Sequence, residues 1–326
     1  MKICVIGLGY IGLPTAAIMA VNGHDVLGVD VNRRIVDMIN KGQVHIEERG
    51  LKTIFNASIQ SGRLKAALKP APADAFVIAV PTPERDHVAD LSYLDSAVAS
   101  VVPHLRKGSL VIVESTIPPH TVERNVIPVL KKTGLEPGKD LHVAHCPERV
   151  IPGQTVRELV ENDRVLGGLT PECAQKAEAI YKTFVQGRIE CCDLCTAETV
   201  KLVENSYRDV NIAFANMVSN LCLDFGISSA RVIELANMHP RVNILQPGPG
   251  VGGHCLPVDP WFLVQENKAK TGLLRVARQI NDERPGMIVG KLKKMVGRVK
   301  EPKIAVLGVS YKGDVDDVRE SPAVEA

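Results

Sequence analysis

The feature that most constrains the fold of this chain is a glycine pattern close to its start. Gly7-Leu-Gly-Tyr-Ile-Gly12 follows the apolar run 2–6 and opens a helical pattern over residues 11–21. A second apolar run, 25–29, ends at Asp30. A strand, a glycine turn, a helix, a second strand and an acidic residue, in that order, are typical of a βαβ unit that binds a dinucleotide. The sequence therefore predicts a Rossmann-type domain at the N-terminus.

Each residue of this pattern has a distinct task. Gly7 permits the tight turn, Gly9 lets a pyrophosphate approach, and Gly12 allows the helix and strand to pack closely. The pyrophosphate is expected at the helix N-terminus, where free N–H groups and the helix dipole favour anions. Asp30 is expected to accept hydrogen bonds from ribose hydroxyls and to repel a 2′-phosphate. This favours NAD over NADP, although the two arginines at 33 and 34 weaken the inference.

Further apolar runs alternate with helical patterns along the first 190 residues. Such alternation predicts a doubly wound parallel sheet, whose ligands lie at the carboxyl ends of the strands. The predicted strands are 75–80, 109–114, 141–146 and 164–167, and the predicted helices are 93–105, 119–132 and 171–184. The loops that leave the strand ends are Pro81-Thr-Pro83, Ser115-Thr-Ile-Pro118 and Pro147-Glu-Arg149. Any one of them could be an ordinary polar turn, but three at one edge indicate cofactor and substrate contacts.

A long helical pattern occupies residues 196–225, with Thr196 as the expected N-cap and Gly226 as the stop. Much of this pattern is apolar, so a polar stripe on it is more compatible with a cleft wall than with a solvated surface. The stripe has the spacing i, i+4, i+7 and consists of Lys201, Asn205 and Arg208.

The run from Pro247 to Pro260 places one thiol in a loop rich in glycine and proline. Cys255 follows Gly252-Gly-His and precedes Asp259 by four residues. Glycine and proline favour a rigid loop that presents its N–H groups, and a nearby carboxylate is unusual for a core thiol. A buried, inert cysteine is the alternative. Beside a dinucleotide signature, the pattern favours a catalytic thiol.

Composition excludes several classes of function. A chain of 326 residues is long enough for two domains, and a net charge of +2 gives no indication of a nucleic-acid or membrane partner. An aromatic content of 4% argues against base-stacking surfaces. Eight cysteines without a secretory signal predict reduced thiols and a cytoplasmic location. The spacing of Cys192 and Cys195 suits redox or zinc chemistry, but no matching pair accompanies it, so it is interpreted as incidental.

The last part of the chain continues with two helical patterns, 229–238 and 271–297, and an apolar run over 303–308 that predicts a strand. This strand would begin a second α/β unit that the sequence contains only in part. The expected domains are therefore an NAD-binding domain over 1–195, a central helical and catalytic-loop domain over 196–300, and the start of a truncated C-terminal sugar-nucleotide domain over 301–326.

These motifs together resemble the UDP-glucose/GDP-mannose dehydrogenase family over the whole chain. The family marks are the glycine turn, Pro81-Thr-Pro83, Ser115-Thr116 and Gly252-Gly-His-Cys255; more specific marks are Cys146-Pro-Glu-Arg-Val150, Glu204-Asn-Ser-Tyr-Arg-Asp-Val-Asn211 and His239-Pro-Arg-Val-Asn-Ile-Leu-Gln-Pro247. The resemblance implies oxidation of a sugar 6-hydroxyl to a carboxylate with two NAD and no metal. It favours UDP-N-acetyl-D-mannosamine as substrate, with UDP-N-acetylglucosamine or UDP-glucose as alternatives. A two-electron dehydrogenase with a structural Cys255 is a rival from another class.

The resemblance also implies roles for individual residues, and a homodimer or dimer of dimers built on the central helix. The implied catalytic residues are Cys255, Lys201, Asn205, Asp259, Glu148 and Thr116. The implied NAD-binding residues are Gly7, Gly9, Tyr10, Ile11, Gly12, Asp30, Thr82, Thr116 and Arg319. The implied substrate-binding residues are Arg149, Val150, Lys201, Asn205, Arg208, His239, Arg241, Gly252, Tyr311 and Lys312.

Overall fold

A computed structural model describes residues 1–253, 255–311, 313, 318 and 320–326. Its contacts divide the chain into two units. The first unit contains Met1–Arg85 and Ala89–Lys201, and the second contains Asp86–Val88 and Leu202–Ala326.

An eight-stranded sheet forms the centre of the first unit. Its order is β3-β2-β1-β4-β7-β8-β9-β10. The strands are β1 (Lys2–Ile6), β2 (Asp25–Val29), β3 (Leu64–Ala67), β4 (Ala75–Ile78), β7 (Leu110–Val113), β8 (His142–His145), β9 (Arg164–Gly168) and β10 (Ile189–Asp193), and two short strands, β5 (Glu84–Arg85) and β6 (Val88–Ala89), lie outside this sheet.

The side chains of β1 show that both faces of this sheet are covered. Successive side chains of a strand point to opposite faces. Ile3 and Val5 therefore pack in one hydrophobic cluster, and Cys4 and Ile6 pack in the other. All four residues are buried, as expected for a central parallel strand with helices on both sides. The doubly wound α/β architecture predicted from the sequence is confirmed.

The sheet departs from the predicted parallel arrangement in one pair of strands at its side. The six strands from β3 to β8 are parallel, but β9 runs antiparallel to β8, and β10 is parallel to β9. A parallel connection requires the chain to return to the opposite end of the sheet. Between β8 and β9 the chain forms the seven-residue helix Thr155–Glu161 and enters β9 beside the carboxyl end of β8. The first residue of β9, Arg164, therefore lies next to the loop that leaves β8.

The helices follow the predicted pattern with several differences. Additional helices occur at 33–40, 51–60, 155–161 and 259–266, and the segment predicted as a helix at 119–132 is a π-helical turn, a short α-helix and a 3-10 turn. The α-helices are α1 (Gly12–Val21), α2 (Arg33–Asn40), α3 (Leu51–Gln60), α4 (Ser92–Val101), α5 (Ile127–Leu130), α6 (Thr155–Glu161), α7 (Pro171–Tyr181), α8 (Leu194–Asp224), α9 (Ser229–Ala236), α10 (Asp259–Glu266), α11 (Gly272–Asp282), α12 (Arg284–Val296) and α13 (Pro322–Glu325).

The long helix α8 confirms the prediction for residues 196–225, with a different N-cap. The carboxylate of Asp193 accepts hydrogen bonds from the backbone N–H of Thr196 at 2.9 Å and from its hydroxyl at 2.6 Å. Asp193 thus caps the helix three residues before the predicted Thr196. The helix ends as predicted at Gly226, whose φ of +68° suits glycine. None of the helices in the described ranges is long and apolar enough to cross a membrane.

Two further predictions for the C-terminal part were wrong. Residues 303–308 form no strand with any of the described residues. The pattern 271–297 is divided into α11 and α12. Pro285 stands in the first turn of α12, where its missing N–H and fixed φ favour a new helix start over a continuous helix.

One carboxyl group is buried at the carboxyl end of β7. Glu114, directly after β7, is 2% exposed, and its Oε1 accepts a hydrogen bond of 2.7 Å from the hydroxyl of Tyr181. Burial, followed by repulsion from Glu148, raises the pKa of Glu114 to about 7. Because the folded state favours the protonated form, this group makes the protein lose stability as the pH rises from about 4.5 to about 7.

We expect Glu114→Gln to be more stable than the wild type at pH 8, because the amide keeps the acceptor for Tyr181 and cannot ionise. The gain should approach about 3 kcal/mol at pH 8 and become small towards pH 4.5. Urea denaturation at both pH values measures it. Glu161→Gln, which alters an exposed glutamate, is the control. An equal effect of Glu114→Gln at both pH values would contradict the assignment.

Candidate active site

The glycine turn between β1 and α1 is shaped by backbone contacts. A Cβ on Gly12 would lie 1.9 Å from the carbonyl oxygen of Gly7, so no side chain fits there. Gly7 has a φ of +92°, and a Cβ on it would lie 2.4 Å from the carbonyl oxygen of Ala79. No described atom lies within 4 Å of a Cβ built on Gly9. The turn therefore has open space at the position predicted for the pyrophosphate.

The start of α1 and the end of β2 complete this nucleotide-binding pattern. Ile11 directly precedes α1 and provides no capping side chain, while Tyr10 packs against the core. The carboxylate of Asp30 accepts hydrogen bonds from the backbone N–H of Leu8 at 3.1 Å and of Asn32 at 2.8 Å. These bonds fix the Asp30 carboxylate beside the glycine turn. The residues present fit a dinucleotide.

Two of the loops at the carboxyl ends of the strands are joined by hydroxyl groups. Thr82 donates a hydrogen bond of 2.6 Å to the carbonyl oxygen of Thr116. Ser115, which is buried, donates to the carbonyl oxygen of Val80 at 2.7 Å. The ammonium group of Lys201 donates to the hydroxyl of Thr116. The structure thus brings together Thr82, Thr116 and Lys201, as expected for residues of one site.

His145 stands beside this group, and sequence reasoning missed it. It is the last residue of β8 and is buried. Burial, followed by the charge of Lys201, lowers the pKa of His145 to about 3, so its imidazole is neutral near pH 7. The sequence signal that could have identified His145 is its position immediately before the loop that carries Glu148.

The loop after β8 carries Glu148, Arg149 and Val150. Glu148 is buried; its Oε1 accepts from the backbone N–H of Arg149 at 2.8 Å and its Oε2 from the guanidinium of Arg164 at 3.1 Å. Arg149 donates to the carbonyl oxygen of Asp163, and Val150 packs against the core. Arg164 was not predicted from the sequence, because it follows Glu148 by 16 residues and comes close to it through the antiparallel pairing of β9.

In the second unit, Asp259 connects the thiol loop to α8. Asp259 is 2% exposed, and its Oδ2 accepts a hydrogen bond of 2.6 Å from the side-chain amide of Asn205. Its backbone N–H donates to the carbonyl oxygen of Cys255 at 2.8 Å, and that of Val258 donates to the same oxygen at 3.0 Å. The turn therefore fixes the Cys255 backbone at the start of α10, and the thiol itself is half-buried.

The glycine-rich part of the thiol loop is held by buried side chains. The N–H of Gly248 donates to Asn216 at 2.9 Å, and its carbonyl oxygen accepts from Arg284 at 2.9 Å. Further along, a Cβ on Gly252 would lie 2.6 Å from Tyr311. Glycine at this position therefore permits the close contact with Tyr311, and the structure brings these two predicted substrate-binding residues together.

A cavity of about 640 Å³ lies on the second unit beside α8. It is lined by Val203, Glu204, Tyr207, Arg208, Asn211, Asn243 and Leu245. The side chain of Asn237 accepts a hydrogen bond of 2.7 Å from the N–H of Ile244 and donates one of 3.0 Å to its carbonyl oxygen, which closes the loop that carries His239 and Arg241. Both of these residues are exposed. Lys312 and Arg319 lie outside the described residues.

Comparison with known proteins places this site in a family. Residues 1–185 match the NAD-binding domain, and residues 195–283 the central domain, of the UDP-glucose/GDP-mannose dehydrogenase family. UDP-N-acetyl-D-mannosamine dehydrogenase of Methanocaldococcus jannaschii is 51% identical over 326 residues, covering 99% of this chain and 74% of that protein. NDP-N-acetyl-D-galactosaminuronic acid dehydrogenase of Ralstonia nicotianae is 49% identical over 333 residues, covering 99% of this chain and 78% of that protein.

A solved structure also resembles this chain. The structure of UDP-D-ManNAc dehydrogenase from Pyrococcus horikoshii matches with a TM-score of 0.95 at 44% identity, and the match covers 100% of this chain and 79% of the Pyrococcus chain. The matched family domains span both the glycine turn and the thiol loop. This chain belongs to the UDP-glucose/GDP-mannose dehydrogenase family.

Proposed function

We propose that this protein catalyses the NAD-dependent, four-electron oxidation of the 6-hydroxyl of UDP-N-acetyl-D-mannosamine to the uronate. The observation that carries the proposal is the hydrogen bond from Asn205 to the buried Asp259, whose backbone N–H also holds the carbonyl oxygen of Cys255. A uronate of this kind suits polysaccharide biosynthesis. The free thiols among the described residues fit a cytoplasmic enzyme.

The choice of sugar rests on similarity. One relative is named for N-acetyl-D-mannosamine and another for N-acetyl-D-galactosaminuronic acid, at 51% and 49% identity. The motifs around Cys146, Asn205 and His239 favour the manno sugar, with UDP-N-acetylglucosamine or UDP-glucose as alternatives. A screen of purified enzyme against these UDP-sugars, following NADH, tests the substrate. A yield of one NADH per sugar instead of two would favour the two-electron alternative.

The cofactor would be held by the glycine turn and the loops beside it. Gly7, Gly9 and Gly12 shape the turn, Tyr10 and Ile11 stand at the start of α1, and Asp30 accepts from the ribose. NAD, when bound, supplies the hydride acceptor for both oxidations. Thr82, Thr116 and Arg319 are the other proposed cofactor contacts. The hydroxyl bond from Thr82 to the Thr116 carbonyl oxygen supports the first two.

Cys255 is the proposed nucleophile. The first oxidation converts the 6-hydroxyl to an aldehyde as one hydride and one proton leave. The Cys255 thiolate then forms a C–S bond to the aldehyde carbon as the C=O π bond breaks, and the oxyanion takes up a proton to give a thiohemiacetal. Loss of a second hydride and of the hydroxyl proton yields a thioester. Water attacks this carbonyl carbon, the C–S bond breaks, and the carboxylate and the thiol are released.

Two side chains are proposed to stabilise the negative charge that develops on oxygen. Lys201 and Asn205 are donors one helical turn apart on α8, and donors fixed before the reaction stabilise an oxyanion effectively. Asp259 fixes the amide of Asn205 and would orient or deprotonate the water. Glu148 and Thr116 would position water or the reacting hydroxyl; the bond from Lys201 to the Thr116 hydroxyl supports the latter.

The sugar nucleotide would contact residues from several loops. Arg208 lines the cavity beside α8, and Gly252 packs against Tyr311. A guanidinium group in a cavity, such as that of Arg208, suits binding of a diphosphate. The full proposed set is Arg149, Val150, Lys201, Asn205, Arg208, His239, Arg241, Gly252, Tyr311 and Lys312. The proposed domain division is 1–195, 196–300 and 301–326, with the last segment as the start of the sugar-nucleotide domain.

The helix α8 is the proposed core of a homodimer or dimer of dimers. Its second-unit part exposes a row of large apolar side chains, and water contact with so much apolar surface is unfavourable. The row comprises Val203, Tyr207, Phe214, Met217 and Leu221, and Phe225 follows directly after the helix. Contact between two copies through the same face would bury this row in an isologous interface.

We expect Cys255→Ser to separate the two oxidations. A serine hydroxyl ionises far less readily than a thiol, so the second oxidation should stall while the first still occurs. Single-turnover measurements should give about one NADH per sugar and a turnover lower by about a thousandfold or more. Cys191→Ser, which changes an exposed cysteine, is the control. Two NADH per sugar at near wild-type rate would show that Cys255 is structural.

Asp30→Ala should weaken NAD binding by about 1–3 kcal/mol, because the ribose hydroxyls lose a charged acceptor and the turn loses two backbone contacts. Isothermal calorimetry with NAD and NADP measures the effect. Asp37→Ala on the exposed side of α2 should leave affinity unchanged. Stronger binding of NADP than of NAD by the wild type would argue against the proposed role of Asp30.

Phe214→Glu with Leu221→Glu should convert the wild-type dimer to a monomer, because two charges in an apolar interface are costly. Light scattering with sedimentation measures the mass. An obligate interface of this kind buries at least roughly 2,000 Å². Tyr93→Glu, on an exposed position of α4, is the control. A wild-type protein that is monomeric at micromolar concentration would overturn the proposal.

A further inference from the structure

A buried charge cluster lies behind Glu148 in the first unit. It comprises Glu114 after β7, Glu148 after β8, Arg164 at the start of β9, and Tyr181 at the end of α7. All four are buried, and burying a charge without a partner is costly. The cluster joins the loop that carries Glu148 to β9, the strand that runs antiparallel to β8.

Arg164 is fixed by several contacts. Its guanidinium donates to Glu148 Oε2 at 3.1 Å and to the carbonyl oxygen of Leu159 at 3.1 Å. It also lies over the ring of Tyr181, 5.0 Å from the centroid. The side chain of Arg164 is 5% exposed, as is that of Glu148, so solvent screens this pair little.

The cluster contains two carboxyl groups that differ in their partners. Arg164 forms an ion pair with Glu148, whereas Glu114 accepts from the neutral hydroxyl of Tyr181. Burial and the nearby Glu148 raise the pKa of Glu114 to about 7, so Glu114 is largely protonated below that pH. The single cation therefore stabilises the negative charge on Glu148 in preference to that on Glu114.

The other titratable groups around the cluster do not replace this cation. Burial raises the pKa of the Cys146 thiol to about 11 and that of Tyr181 well above its ordinary value, so both are neutral near pH 7. His145 is neutral because its pKa is lowered to about 3. The guanidinium of Arg149 donates to the carbonyl oxygen of Asp163.

We propose that Arg164 is a positioning residue that keeps Glu148 as an oriented carboxylate, so that Glu148 acts on water or substrate as a hydrogen-bond acceptor. Arg164 holds Oε2, and the N–H of Arg149 holds Oε1, which leaves one further lone pair on each oxygen. The proposal rests on the proposed function, in which Glu148 acts in the reaction.

The test is the pH dependence of kcat/KM for Arg164→Met, Arg164→Lys and Glu148→Gln, measured by NADH formation. Without the cation, burial and the nearby Glu114 oppose the charged form of Glu148 and nothing in the cluster offsets them. For Arg164→Met we expect the acidic limb to move up by at least about one pH unit, with at least about tenfold lower kcat/KM at pH 7 that recovers towards pH 9. Arg164→Lys should keep the limb near that of the wild type.

Matched variants separate positioning from folding. Arg157→Met removes an exposed arginine that pairs with Glu161 on α6, and it should leave the profile unchanged. If Arg164→Met does not fold, Arg164→Gln, which keeps a donor but no charge, replaces it in the same measurement. The double variant Arg164→Met/Glu148→Gln should have the pH profile of Glu148→Gln alone.

Two outcomes would overturn the proposal in different ways. Equal loss of kcat/KM at every pH in the neutral Arg164 variants would show that Arg164 is merely structural. Full activity of Glu148→Gln would remove Glu148 from the proposed reaction, and with it the reason for positioning it. The second result changes the proposed function, whereas the first leaves it intact.

Discussion

The contact between the backbone at Gly7 and the start of α1 is the constraint on which the first unit depends. A Cβ at Gly12 would lie 1.9 Å from the Gly7 carbonyl oxygen, so the turn closes only with glycine. Closure brings the N-terminus of α1 to the carboxyl edge of β1, where the end of β2 supplies Asp30. The parallel strands next to β1 then deliver their loops to the same edge.

In each unit a polar pair holds a carboxylate that is a proposed reactive group. Asp259 is held by Asn205, and Glu148 is held by Arg164, each in surroundings where an unpaired charge would be destabilising. The cost of breaking such a pair restricts the side chains to one arrangement. This rigidity is what electrostatic stabilisation of a transition state requires, since donors that need not reorganise are the effective ones.

The sequence was sufficient for the parts of the fold that depend on local pattern. The glycine turn, the alternation of strands and helices, and the stop at Gly226 follow from period, spacing and backbone preference. The reversal of β9 did not follow, because the direction of a strand depends on where the preceding loop delivers the chain. For the same reason Arg164 was missed: no spacing rule connects it to Glu148, and only the pairing of β8 with β9 does.

The antiparallel edge therefore has a chemical consequence. A parallel β9 would begin at the amino end of β8, the end opposite to the loop of Glu148. Arg164 would then lie at least about 13 Å from that loop, since the four steps of this five-residue strand each rise about 3.3 Å. At that distance the interaction of the two charges would be weak, and Glu148 would be buried without a cation. The direction of one edge strand therefore determines which of the two buried carboxyl groups has Arg164 as its partner.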